Sequence, residues 1–350
     1  MVNPASLQRA YAGKRVLITG GLGFIGSTLA IALIRLGAEV TVIDSLIPEY
    51  GGNLQNLAGY ADLIRVNISD VRDTYGISWL VQDQDILFNL AGQTSHLDSM
   101  TDPLVDLDIN SRSQLTILEA CRHHNPAIRI VFASTRQIYG KPNYLPVDEY
   151  HPIVPVDVNG INKLSGEMYH LLYAQVYGMR ICALRLTNTY GPRMRVKDSR
   201  QTFLGIWIRQ LLDNQPITIY GDGSQLRDFN YVDDVVDAFL LAAVTEDSWG
   251  QAFNLGDDQP ISLVELSNLL IKLNGGGCAH KVDFPPERKA IDIGNYYANF
   301  TRFQSLTGWQ PCTELEQGLA RTLDYYRQHR HHYWDAVAQP MPYADPHPAK

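Results

Sequence analysis

The fragment ITGGLGFIG, residues 18–26, carries glycines where an anion can be cradled. Gly21, Gly23 and Gly26 give the spacing GxGxxG, and Gly20 adds a second spelling, GxxGxxG. Small residues let the chain turn tightly and bring backbone N–H groups against a pyrophosphate, while the following helix N-terminus adds partial positive charge. Asp44 closes the next β-branched run. A carboxylate there accepts hydrogen bonds from a ribose diol and repels a 2′-phosphate, which favours NAD over NADP.

A second set of residues bears on proton transfer. In PVDVNGINK, residues 155–163, Asn159 precedes Lys163 by one helical turn. An amide donates and accepts hydrogen bonds but is no base at neutral pH. Asn159 also precedes a glycine and a helix, so a plain helix N-cap is its other reading. His96 and Asp98 follow the fourth apolar run, and a histidine has the pKa a general base needs. A solvent-facing loop histidine is the alternative for His96.

These groups need elements to hold them. RVLIT (15–19), EVTVID (39–44), LIRVN (63–67), ILFNLA (86–91), RIVFAS (129–134) and RICALRL (180–186) read as buried strands. Helical periods lie between them, as over 24–36 and 114–123. Such alternation gives an α/β, Rossmann-type doubly wound parallel sheet. Ligands on these sheets bind at the C-terminal strand ends, where Asp44 and the loop carrying His96 fall. After Leu186 the alternation breaks up. Residues 1–186 therefore read as an NAD-binding Rossmann domain. Residues 187–311 read as a smaller, partly discontinuous substrate lobe with some segments returning to the sheet. Residues 312–350 read as a C-terminal helix and tail, poorly ordered from about Tyr333.

Together these stretches resemble the extended short-chain dehydrogenase/reductase family, in particular its NAD-dependent nucleotide-sugar epimerases and dehydratases, as far as about Pro311. The resemblance is carried by TGGLGFIG, NLAGQ (89–93), Asn110 in DLDIN, FASTRQIYG (132–140), LRLTNTYGPR (184–193) and YGDGSQLRDFNYVDDV (220–235). It implies an NAD site built from Gly20, Gly23, Phe24, Ile25, Gly26, Asp44, Ser45, Asn67, Ile68, Leu90, Ala91, Gln93, Asn110 and Lys163. Asn67 stands where the family often has an aspartate over the adenine.

In the resembled family a Ser or Thr, a Tyr and a Lys act together. The Tyr takes a sugar hydroxyl proton while hydride leaves the same carbon for NAD. Thr135 takes the Ser/Thr position, and Lys163 takes the lysine's, near a helix start and facing the cofactor ribose. Asn159 stands in place of the Tyr, and no lysine of this chain has a Tyr four residues before it. Asn159 is then expected to orient a hydroxyl or a water, with His96 or Asp98 receiving the proton. Arg136 and Gln137 occupy the positions of the acidic pair used by the family's 4,6-dehydratases. The leading expectation is therefore a UDP-sugar 4-epimerase-like enzyme. A dehydratase, a decarboxylase, a net oxidoreductase and a catalytically silent binder are the alternatives.

On the substrate side the resemblance places Asn188 near the sugar-nucleotide diphosphate and Arg227 on a phosphate. Asp292 resembles the end of an R-x-x-D pattern in which Lys289 holds the arginine's place and Arg288 is adjacent. Tyr220, ending ITIY (217–220), would line the base pocket. Arg193, Arg195, Lys197 and Arg200 make a basic loop, read as solvated or as a guide for an anionic ligand. HRHHYW near the C-terminus lacks a second ligand cluster, so no metal is expected.

Composition narrows the classes. The 350 residues are 45% hydrophobic and 19% charged, as in ordinary globular proteins. A net charge of −8 provides no global field for nucleic acid or an anionic membrane. The four cysteines include no CxxC pair, and no run of about 18 apolar residues occurs. The expectation is a cytoplasmic protein taking a nucleotide-diphosphate sugar, without nucleic-acid or membrane partners. The resemblance further implies a homodimer through a four-helix interface formed by helices at 114–123 and 161–177.

Overall fold

The computed structural model describes residues 4–47, 49–198 and 202–334. Six parallel strands, β1 (Arg15–Thr19), β2 (Glu39–Asp44), β3 (Ile64–Ile68), β4 (Ile86–Asn89), β5 (Arg129–Thr135) and β6 (Arg180–Leu186), form one sheet with a seventh strand, Gln251–Asn254. The order is seventh, β6, β5, β4, β1, β2, β3. The chain thus winds outward from β1 to β3, then crosses back to β4 on the other side of β1. That reversal opens a crevice at the C-terminal ends of β1 and β4.

The strands are hydrophobic along their length because helices cover both faces. Period-two alternation sends Val16 and Ile18 to one face, under α1 (Pro4–Tyr11), α2 (Phe24–Arg35) and α9 (Val232–Val244). Leu17 goes to the other face, under α3 (Thr74–Leu80), α6 (Ser113–His124) and α7 (Val158–Tyr177). A separate core around Tyr190, Trp207, Leu266 and Leu323 joins α8 (Phe203–Leu212), α10 (Leu263–Asn274) and the helix Leu315–His329. It stands beside the strand ends and supplies the opposite wall of the crevice.

A buried polar chain ties the layers together beneath the crevice. Arg185 pairs with Glu167 at 2.6 Å, and Ser134 Oγ donates to Glu167 Oε2 at 2.5 Å. Arg185 Nη1 donates to Tyr139 Oη at 2.6 Å, and Tyr139 donates to Asn254 Oδ1 at 2.7 Å. Residues from β5, β6, α7 and the seventh strand are thereby held to one another.

Several boundaries differ from the sequence reading. β5 runs on through Thr135, one residue past the expected end at Ser134. α7 begins at Val158 because the Asp157 carboxylate accepts from Gly160 N at 2.7 Å; Asp157 is its N-cap, and Asn159 lies inside the first turn. The seventh strand escaped the sequence because four residues with a half-buried start show neither alternation nor an apolar run. Tyr333 and Trp334, expected to begin a loose extension, are anchored by bonds to Asn56 Oδ1 (2.6 Å) and Asp213 Oδ1 (3.2 Å). Residues 335–350, the rest of that expected extension, and Arg200 lie outside the described residues.

Candidate active site

The crevice is a continuous cavity of about 860 Å³. It runs from Gly20 and Asp44, past Thr135 and Lys163, to Asn188, Arg227 and Arg288. That volume lies within the range of small-molecule sites.

At one end the glycines make the cradle. A Cβ on Gly26 would lie 2.2 Å from Gly20 O, so only glycine lets α2 start against the turn. Gly20 has φ +69°, and a Cβ there would come 3.0 Å from Ala91 N. Gly23, Phe24, Ile25, Leu90, Ala91 and Gln93 line this end. The Asp44 carboxylate accepts from Leu22 N at 3.1 Å and Leu46 N at 2.9 Å. Burial raises its pKa despite those two bonds. Each oxygen keeps a lone pair for a ribose hydroxyl, with Ser45 beside it. Asn67 and Ile68 end β3 away from the lining, and Asn67 Oδ1 accepts from Ser69 Oγ at 2.6 Å. Ser69, Asp70 and Val71 line the cavity instead. Their signal in the sequence was only that they follow a strand.

The centre holds the proton-handling groups. Lys163 is buried in the second turn of α7, and its Nζ donates to Ala133 O at 2.6 Å. Burial pulls its pKa down to about 8, against the opposing pull of Asp106 and Glu167. Ser134 is spent on Glu167, so Thr135 presents the hydroxyl that faces the cavity, where its Oγ1 accepts from Gln137 N at 3.2 Å. Asn110 sits in a π-helical turn, Asp108–Arg112, and its Nδ2 donates to Gln93 O at 2.9 Å. Its Oδ1 is buried without a partner. A Cβ on Gly92 would fall 2.9 Å from that oxygen and 3.6 Å from Lys163 Nζ, so Gly92 leaves a polar gap between them.

Asn159 lines the cavity, but its amide nitrogen is committed to the wall. Its Nδ2 donates to Gln93 O (2.9 Å), Gln93 Oε1 (3.1 Å) and Asp106 Oδ2 (2.8 Å), and the residue is buried. Asp106, on α5 (Pro103–Leu107), also accepts from Asn110 at 3.1 Å and Asn162 at 2.8 Å. Asn159 thus helps join α5 and α7 to the Gln93 wall.

His96 opens α4 (His96–Thr101) and is no free loop histidine. Its Nδ1 meets the Asp157 carboxylate, and Gln137 Nε2 lies 2.6 Å from its Nε2. A carboxylate at Nδ1 requires N–H there, so Nε2 is the acceptor, an assignment made from the bonding network. Burial pushes the Asp157 carboxyl up, but His96, Gly160 N–H and Arg136 outweigh it and hold the carboxyl below the ordinary range. His96, Gln137 and Asp98 line the same cavity as Thr135 and Lys163.

At the far end Arg227 donates to Leu226 O at 2.9 Å and to Gly294 O, and its Nη2 stands 3.7 Å from Asp292 Oδ1. Burial, then the Arg136 charge, bring its pKa down to about 10. Arg288 lies 5.3 Å over the Tyr220 ring, and Phe284, which the sequence did not single out, is 5.7 Å from the same ring. Lys289 is exposed and off the lining. Asn188 Nδ2 donates to Asp228 O at 3.0 Å. The basic loop is partly structural rather than solvated: Arg193 donates to Asn56 O at 3.0 Å, and Arg195 pairs with Asp198 at 2.5 Å. Lys197 is exposed. Among the described residues no cluster could hold a metal ion, and no helix is long and apolar enough to cross a membrane.

Comparison with known proteins places this geometry. Residues 16–256 match the model of the NAD dependent epimerase/dehydratase family. A putative UDP-glucose 4-epimerase of Methanocaldococcus jannaschii is 35% identical over 314 residues, covering 89% of this chain and 98% of the relative. The structure of UDP-glucose 4-epimerase from Thermotoga maritima with UDP-glucose has a TM-score of 0.83 at 31% identity, covering 90% of this chain and 99% of the other. A dTDP-glucose 4,6-dehydratase of Streptomyces venezuelae, solved with NAD bound, has a TM-score of 0.84 at 25% identity, covering 92% and 99%.

Proposed function

The chain belongs to the NAD-dependent epimerase/dehydratase family, and within it we propose a nucleotide-sugar epimerase in which His96 replaces the family's tyrosine as proton acceptor. NAD is the cofactor, and when bound it takes up hydride from an alcohol carbon and returns it. The glycine cradle, Asp44 and the gap beside Lys163 fit it.

The observation that carries the reading is the His96–Asp157 pair in one cavity with Thr135 and Lys163. Thr135 holds the reacting hydroxyl. His96 Nε2, released by the Gln137 amide, takes the hydroxyl proton, and Asp157 stabilises the imidazolium that forms. When the ketone is reduced from its other face, the same proton returns to the oxygen. Lys163, held by Ala133 O, faces the cofactor ribose and keeps positive charge at the centre. Asn159 does no proton transfer and positions the Gln93 wall.

Arg136 and Gln137 provide no carboxyl to protonate a leaving hydroxyl, which favours epimerisation over dehydration. Arg227 and Arg288 meet the diphosphate, and Tyr220 with Phe284 meets the base. The face of α7 that displays Ile161, Met168, Leu172 and Val176 is exposed and apolar, and with α6 it forms a homodimer interface.

The test is product analysis by NMR and mass spectrometry in deuterated water, with NAD-loaded protein and UDP-, dTDP-, GDP- and CDP-sugars. An epimer without deuterium at the inverted carbon is expected. A lasting keto product or accumulated NADH would replace epimerase with dehydratase or oxidoreductase. Neither turnover nor binding would sink the nucleotide-sugar reading.

A further inference from the structure

Beyond its charge acting on Asp157, Arg136 has no part in the chemistry above, yet it lines the cavity, with its guanidinium between Asn188 and Tyr296. It lies 5.0 Å over the Tyr296 ring. Its Nη2 donates to Asn188 Oδ1 across a long 3.3 Å. Asp228, Asp292 and Asp157 act on it only through space, and no carboxylate among the described residues forms an ion pair with it. Burial lowers its pKa, so the folded protein holds this cation at a cost. Arg227 shares the wall and feels the same-sign charge.

A guanidinium carries five N–H donors in a planar fork. Asn188 takes one, and the half-buried side chain leaves others facing the cavity. A diphosphate at Arg227 and Arg288 lies at the lobe end. Arg136 stands at Asn188, where the charge of Asp157, the carboxylate that holds His96, also reaches it. A sugar hydroxymethyl would meet the fork with one neutral bond, whereas a carboxylate meets it with two parallel charge-assisted bonds and neutralises it.

We infer that Arg136 is a subsite for a carboxylate on the sugar ring, which makes the cavity selective for a nucleotide-linked uronate over the neutral hexose. This rests on the nucleotide-sugar reading of the cavity.

The test is isothermal titration of NAD-loaded protein with UDP, UDP-glucose and UDP-glucuronate. Wild type should bind the uronate about 10- to 100-fold tighter than UDP-glucose, the gain of a charged bidentate pair. Arg136→Gln should erase that preference and leave UDP and UDP-glucose within about threefold of wild type. Arg136→Lys, which keeps the charge without the fork, should retain part of it. Equal wild-type binding of the two sugars overturns the inference, and that comparison needs no variant to fold. A tenfold loss of UDP itself in Arg136→Gln also overturns it, by making Arg136 a diphosphate ligand. Silence from all three, and from dTDP, GDP and CDP sugars, removes the nucleotide-sugar reading and this inference together. Binding of UDP and UDP-glucose without a gain for the uronate removes this inference alone.

Discussion

Asn159→Asp separates a structural amide from a catalytic one. The change is nearly isosteric, so packing is preserved. It removes the N–H that Asn159 donates to Asp106 Oδ2 at 2.8 Å and sets an acceptor against an acceptor. The lost bond to a charged group is worth about 1.5–3 kcal/mol. Two carboxylates about 4 Å apart repel by about 4 kcal/mol at an effective dielectric constant of about 20. The expected deficit at pH 7 from these two effects is about 5.5–7 kcal/mol, and the weakened Gln93 bonds add to it. The sign with pH follows from linkage: the folded variant holds a proton between the two carboxyls more tightly than the unfolded chain does. Its deficit should therefore be full at pH 7 and shrink as pH falls toward 5. The assay is urea unfolding followed by tryptophan fluorescence from pH 5 to 8, wild type beside Asn159→Asp. Adding Asp106→Asn to Asn159→Asp exchanges donor and acceptor and should restore part of the loss, a coupling read by the double-mutant cycle. A deficit below about 1 kcal/mol at pH 7, or one flat from pH 5 to 8, refutes the network reading. Asn159 would then be free to act on a ligand.

Three further outcomes are expected. His96→Ala should lower kcat in the epimerisation assay by about 100- to 10,000-fold with NAD binding unchanged, and a loss below tenfold assigns the proton to another group. Gly26→Ala should abolish NAD binding in titration calorimetry, because its Cβ would stand 2.2 Å from Gly20 O; wild-type affinity would show that the turn is not the cradle. Lys163 has its pKa lowered by burial to about 8, so the folded state sheds its proton before the unfolded chain does. The stability of wild type relative to Lys163→Met should therefore rise by roughly 3 kcal/mol between pH 8 and 10.5, as urea unfolding would measure, and no change would mean that the amine is solvated.

Much of this was legible in the sequence because the signals are local. β-branched runs and helical periods specify a parallel sheet, and Arg15–Thr19, Glu39–Asp44 and Arg180–Leu186 appear as strands with the bounds their residues suggest. The glycine turn follows β1 by chain order alone, so its place at the head of α2 needs no tertiary information. Strand ends carry the ligands on such sheets, which is why Asp44 and the loop carrying His96 were identifiable before the fold was known, whereas Thr135, Leu90, Ala91 and Gln93 were named through the family resemblance.

Tertiary packing decided the remainder, because side-chain partners far apart in the chain leave no spacing to read. His96 and Asp157 are 61 residues apart, and Asn159 and Asp106 are 53 apart. They meet because α4 and α5 pack against the start of α7, whose cap at Asp157 rotates Asn159 inward. In sequence His96 has a second reading as a loop histidine and Asn159 one as a helix cap. The seventh strand and Phe284 likewise acquire their places only when residues beyond Leu186 close over the sheet. The sequence by itself determined the sheet, the cofactor turn and the positions from which chemistry is presented. Only the tertiary structure decided which side chain stands paired with a carboxylate on the cavity wall and which amide nitrogen is tied up in holding that wall, because burial and hydrogen-bond geometry are properties of the packed elements rather than of any one stretch of chain.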